Sequence, residues 1–170
     1  MTDALCEQVE RLEAVFRSVA ATRMKGIPLL HCGLRVEAVG FAPEPDGVMA
    51  SGVLVTPWFM NLLRLPLGTV PESLLEPGAT GCVQMGAYRL SFIGAHEAVL
   101  GAYEMCSLAS PMFEFADQEA AVTTAREVLV SLRRSPSPGA QPDVRRRRFL
   151  LGRSAVSGAE YAVDRRTEAC

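Results

Sequence analysis

The apolar positions of this chain change their spacing twice, and that change bounds the folds it can adopt. Leu5, Val9, Leu12, Phe16 and Val19 recur at intervals of four and three. That is the stripe of one helical face, with Glu7, Glu10, Arg11, Glu13 and Arg17 outside it. Leu34, Val36 and Ala38 then alternate with Arg35 and Glu37, the period of a half-buried strand over residues 34–41. Helical spacing returns at Ala121, Ala125, Leu129 and Leu132. Two amphipathic helices around a run of strands predict an α+β domain.

Turn chemistry divides the interior. Thr2 and Asp3 supply an N-cap for the first helix, and Met24-Lys25-Gly26-Ile27-Pro28 ends it, because Gly caps a C-terminus and Pro excludes helical geometry before it. Pro45-Asp46-Gly47 is a turn that returns the chain through a second strand, Val48 to Val55. Thr56-Pro57 has the form of an N-cap followed by an N1 proline, which predicts a short helix at 57–64 closed by Pro66. Residues 67–81 read as a loop around a helical turn at 71–76. Cys82–Met85 and Ala87–Phe92 read as a hairpin through Gly86, with Tyr88, Leu90 and Phe92 on one face. Ala98–Met105 is a further strand, giving an antiparallel meander of about four to six strands. Asp117 caps the last helix, and Arg133 and Arg134 sit in its final turn, where positive charge suits the helix dipole. Ser135-Pro136-Ser137-Pro138-Gly139 stops regular structure. The expected organisation is one domain over 1–134 and a flexible, Arg-rich tail over 135–170.

Charge narrows the function classes. Residues 1–132 hold eight basic and fifteen acidic side chains, and residues 133–170 hold nine arginines against four acids. An acidic body argues against sequence-blind binding to nucleic acid, which phosphate neutralisation drives. No apolar run reaches the roughly 18 residues of a membrane span. Asp3, Glu7, Glu10 and Glu13 make the first twenty residues too acidic for a secretory signal. A soluble protein without direct membrane insertion is therefore expected. Cys6, Cys32, Cys82, Cys106 and Cys170 form no close pair, the pattern of free thiols in a reducing compartment.

Catalytic groupings are missing. His31 and His96 are the only histidines and neither stands in a motif, and no serine lies in a nucleophile elbow. No enzyme activity, cofactor or metal is expected. Two apolar segments stand out instead. Thr56-Pro57-Trp58-Phe59-Met60-Asn61-Leu62-Leu63 holds the only tryptophan, and Cys106 to Phe115 carries Leu108, Met112, Phe113 and Phe115. A short helix cannot bury all of the first set, so either some line a groove for an apolar peptide or the two segments pack on each other.

These segments resemble the HybE/HupJ family of [NiFe]-hydrogenase assembly chaperones. The resemblance covers roughly residues 10–132 and is carried first by Ala21-Thr22-Arg23-Met24-Lys25-Gly26-Ile27-Pro28-Leu29-Leu30 and Leu34-Arg35-Val36-Glu37-Ala38-Val39-Gly40-Phe41. It then takes in the Thr56–Leu63 block and the stretch from Cys106-Ser107-Leu108 through Ser110-Pro111-Met112-Phe113-Glu114-Phe115-Ala116-Asp117. Ala109 and His31-Cys32-Gly33 depart from the family's pattern. The resemblance implies a cytoplasmic accessory protein that binds the hydrogenase small-subunit precursor, with its twin-arginine signal, until assembly is complete. The large subunit is a second candidate partner. It implies an apolar groove from Trp58, Phe59, Met60, Met112 and Phe113, with Asn61 beside them. It also implies carboxylates at Glu104, Glu114 and Asp117 facing the leader's arginines, which carboxylates bind through paired hydrogen bonds.

Two other readings use the cysteines. One is a metal or iron–sulfur cluster carrier built on Cys32, Cys82, Cys106 and His31, and the other a redox-sensing thiol at Cys106. Finally, Arg145-Arg146-Arg147-Arg148-Phe149-Leu150-Leu151-Gly152 resembles the core of a twin-arginine signal without the long apolar stretch that follows one. It reads either as a solvated basic tail or as a pseudo-substrate for the chaperone's own groove.

Overall fold

A computed structural model describes residues 3–134. The expectations placed on Thr2, on the tail from 135, on the Arg145–Gly152 motif and on Cys170 lie outside these residues. Helix α1 (Asp3–Ala21) is followed by β1 (Glu37–Pro43), β2 (Met49–Val55), β3 (Met60–Pro66), β4 (Thr80–Met85), β5 (Tyr88–Glu97), β6 (Gly101–Ala109) and α2 (Gln118–Arg133). The six strands form one antiparallel sheet in the order β1-β2-β3-β6-β5-β4. Two three-stranded meanders thus meet where β3 pairs with β6. The α+β class expected from the sequence is the observed one.

One helix covers each face of the sheet. The stripe of α1 buries Leu5, Leu12 and Phe16 against Phe41, Leu54, Leu63, Leu65 and Tyr103. The stripe of α2 buries Ala121, Ala125, Leu129 and Leu132 against Val53, Val55, Leu62 and Phe92. Each fully buried large aliphatic stabilises the fold by about 1.5–3 kcal/mol relative to exposure. Among the described residues no helix is long and apolar enough to cross a membrane.

The predicted helix at 57–64 is instead a hairpin turn running into a central strand. Thr56 Oγ1 accepts from the backbone N–H of Phe59 at 2.9 Å and of Trp58 at 3.3 Å. The Thr56 N–H and hydroxyl both donate to the Phe59 carbonyl oxygen at 2.9 Å. The side-chain chemistry of an N-cap here closes a four-residue loop, with Val55 paired to Met60 directly beyond it. The segment misleads because β3 is covered on both sides. Met60 and Leu62 face α2 while Leu63 and Leu65 face α1, so an apolar run replaces the alternation that marks a strand.

Backbone approach explains the neighbouring strands. Gly40 has φ +61°, and the β1–β2 register slips between Val39 and Ala42, a β-bulge. The bulge lays Phe41 over Gly52, where a Cβ would stand 2.4 Å from the Phe41 ring and 2.8 Å from its Cα. Only glycine fits at that point of β2.

A candidate peptide-binding surface at one end of the sheet

Three connections meet where β2 turns into β3 and β6 leaves for α2. Met60 pairs with Ala109, and Ser110 Oγ donates to the Trp58 carbonyl oxygen at 3.2 Å, which joins the 56–59 turn to the segment after β6. The His31 N–H donates to the Pro57 carbonyl oxygen at 2.8 Å, which fastens the 26–34 segment to the same turn. The His31 ring lies 6.4 Å from that of Phe113. The two apolar segments singled out in the sequence are therefore neighbours.

Their side chains part company, however. Phe59 meets Phe16 edge to face at 5.8 Å and Trp58 at 5.4 Å, so both half-buried rings lean toward α1. Met60 and Met112 are sealed in the core beneath α2, at 1% and 0% exposure. They are packing residues rather than groove residues, because an unbranched thioether fills an irregular core gap well. Asn61 is buried too; its Nδ2 reaches Met105 Sδ at 3.7 Å, and its Oδ1 has no protein donor.

Glu104 is likewise removed from the surface. It is 1% exposed, and Oε2 accepts from Arg64 Nη1 while Oε1 accepts from the Leu75 N–H at 3.1 Å. Arg64 also binds Glu44 through Nε at 2.9 Å and Nη2 at 2.8 Å. The hydrogen bonds that Arg64 donates to Glu44 lead in raising its pKa above the ordinary value, against the opposing effect of burial. A carboxylate held by a largely covered arginine and pinning the loop before β4 does not face a partner's arginines.

What remains at the surface is Phe113, at 54% exposure, with Leu29 at 49%, Glu114 and Asp117. Glu119 lies exposed in the first turn of α2. Residues 26–34, 56–59 and 110–119 contain these three acids and no lysine or arginine, and Arg35, whose N–H donates to Gln118 Oε1 at 3.0 Å, stands at their edge paired with Glu37. Among the described residues none of the three is in an ion pair. Asp117 Oδ1 accepts from the Ala120 N–H at 2.9 Å, the expected cap of α2. An apolar ring beside unpaired carboxylates suits an extended peptide that carries arginines next to large apolar side chains. Leu29 and Glu119 were not among the expected residues. The apolar pair Leu29-Leu30, which follows Pro28 with no helix or strand pattern around it, was the signal available for the first.

The cysteines do not converge. Cys82 stands opposite Ser91 and is exposed on the α1 side of β4, whereas Cys106 is half-buried against the core beneath α2, and Cys32 is exposed in the loop after α1. Among the described residues no three His, Cys, Asp or Glu side chains are placed to hold a metal ion. The shared carrier site read from Cys32, Cys82 and Cys106 is thus not formed. Burial pushes the Cys106 thiol up, which disfavours the thiolate that a redox sensor needs.

The chain is similar to known proteins in sequence and in fold. The family model "[NiFe]-hydrogenase assembly, chaperone, HybE" matches residues 7–152. Protein HoxT of Cupriavidus necator is 45% identical over 167 residues, covering 89% of this chain and 92% of that protein. Hydrogenase expression/formation protein HupJ of Bradyrhizobium diazoefficiens is 35% identical over 150 residues, covering 83% and 85%. The solution structure of HybE from Escherichia coli has the same fold, with a TM-score of 0.61 at 18% identity over 91% of both chains.

Proposed function

The chain belongs to the HybE family of [NiFe]-hydrogenase assembly chaperones, and from that premise we propose that it binds the twin-arginine leader of the hydrogenase small-subunit precursor at the Phe113 end of the sheet. The observation that carries this reading is Phe113 itself. It is a large ring left about half exposed by a segment whose neighbours Met112 and Phe115 turn inward, and it stands beside Glu114 and Asp117. A leader that combines arginines with an apolar stretch matches both halves of that surface. The Trp58 and Phe59 rings back it from the α1 side.

The carboxylates are exposed, so each pair contributes about 0.2–1 kcal/mol and is weakened by salt. Apolar contact with Phe113 and Leu29 has to supply most of the rest. Binding is then moderate and reversible, as suits a chaperone that must release its client. The encounter precedes export, so the protein acts in the cytoplasm on this reading.

Calorimetric titration of the full chain with the small-subunit precursor, with and without its leader, tests it. The expected result is leader-dependent binding that Phe113→Ser weakens roughly tenfold, the ~1.4 kcal/mol of losing one apolar contact of this size. Equal binding without the leader would make the mature subunit the client. Binding only to the large subunit would replace the leader reading altogether.

A further inference from the structure

We propose that the Phe113 surface has a second occupant within the same chain: the segment Arg145–Leu151, which competes with the client. The inference rests on the site assigned above and adds its regulation. The segment carries four consecutive arginines followed by Phe149, Leu150 and Leu151, with Arg153 close behind and no acid among them. The surface carries Glu114, Asp117 and Glu119, none in an ion pair among the described residues, beside the exposed Phe113, while Arg35 at its edge is paired with Glu37. Charge and apolar character match in the same order of contact as a leader would offer.

The chain can reach. Helix α2 has its N-terminus at the surface and holds 16 residues, so its far end lies about 24 Å away. That end is fixed in place: the Arg133 guanidinium donates to the carbonyl oxygens of Gly40 and Ser51, and the Leu132 and Arg134 carbonyls crowd Gly86. The link from Arg134 to Arg145 spans up to about 36 Å when extended, more than enough to run back along the helix. The family match continues past Arg134 and ends at Gly152, directly after this segment. The arginine–apolar run therefore lies within the span that the family model matches.

Tethering sets the strength of the competition. A link of this length gives an effective concentration on the order of 1 mM. If the free segment binds at about 100 μM, it weakens a competing leader roughly tenfold. A client with a longer apolar stretch displaces it, while short basic peptides do not.

The test uses the full chain and a variant carrying Arg145→Gln, Arg146→Gln, Arg147→Gln, Arg148→Gln, Phe149→Ser and Leu150→Ser. Amide chemical shifts are compared at equal concentration, without any client. Shift changes confined to Leu29, His31, Phe113, Glu114 and Asp117, independent of protein concentration, are expected. Unchanged shifts there, or changes confined to another face such as β4, would overturn the inference. Changes that grow with concentration would overturn it in favour of contact between copies. A synthetic twin-arginine leader is then titrated into both proteins, and about tenfold tighter binding to the variant is expected. Equal affinity would remove the competition. Surface shifts without leader binding to either protein would leave the internal contact standing and reject the leader as client.

Discussion

Arg64 of β3 and Glu104 of β6 form an ion pair across the two central strands, on the sheet face that α2 covers, with Glu104 1% exposed. Because the carboxylate is out of water, removing its partner leaves a buried charge uncompensated. Arg64→Met is expected to cost about 3–5 kcal/mol, and the double variant Arg64→Met, Glu104→Leu to recover much of that loss. Urea unfolding of the three proteins measures it. A single variant as stable as the wild type would show that the Leu75 N–H alone suffices to hold Glu104.

The close approach of Phe41 to Gly52 makes a sharper test of packing. Gly52→Ala places a methyl group 2.4 Å from the ring and 2.8 Å from the Phe41 Cα, so the destabilisation should be at the upper end of about 1–3 kcal/mol. Phe41→Ala in the same chain relieves the ring contact but not the backbone one. The double variant is expected to remain less stable than Phe41→Ala alone, by thermal unfolding.

Asn61 keeps a buried carbonyl oxygen without a protein donor. Replacing it with the near-isosteric Leu removes an unsatisfied polar group, so Asn61→Leu should be neutral or stabilise by up to about 1 kcal/mol. A loss of more than that, in chemical denaturation, would mean that a water molecule satisfies the amide.

Adjacent positions 112 and 113 should respond in opposite ways. Met112→Ala creates a cavity in the core and should cost about 2–5 kcal/mol. Phe113→Ser lies at the surface and should change stability by less than about 0.5 kcal/mol while weakening client binding. Melting curves and titrations on the two variants separate a core residue from a contact residue.

Cys106 gives the pH prediction. Burial raises its thiol pKa, so the protonated form persists to higher pH than in an exposed cysteine. At pH 8 iodoacetamide should modify Cys32 and Cys82, both exposed, well before Cys106, and the Cys106 rate should climb as the pH is raised further. Peptide mapping by mass spectrometry reads the order directly.

The two helices were legible because each has a single buried stripe, and Asp117 caps α2 as its position suggested. The outer strands were legible where one face is wet. Residues 57–64 were not, because a strand covered on both sides loses its alternation and Thr56-Pro57 serves a hairpin turn as readily as a helix start. At the candidate site, composition located the right neighbourhood but not the direction of each side chain. Met60, Met112 and Glu104 carry the same letters as surface contacts would. The burial of Met60 depends on α2 and that of Glu104 on Arg64, which the chain supplies from far along its length.

The pairing of β3 with β6 has a consequence for biosynthesis. The Phe113 surface draws on segments from both meanders and exists only once residues up to the start of α2 have left the ribosome and the non-local central pair has closed. On the function proposed above, a half-made or half-folded copy has nothing with which to hold a client. Competence to bind certifies that the protein's own folding is finished.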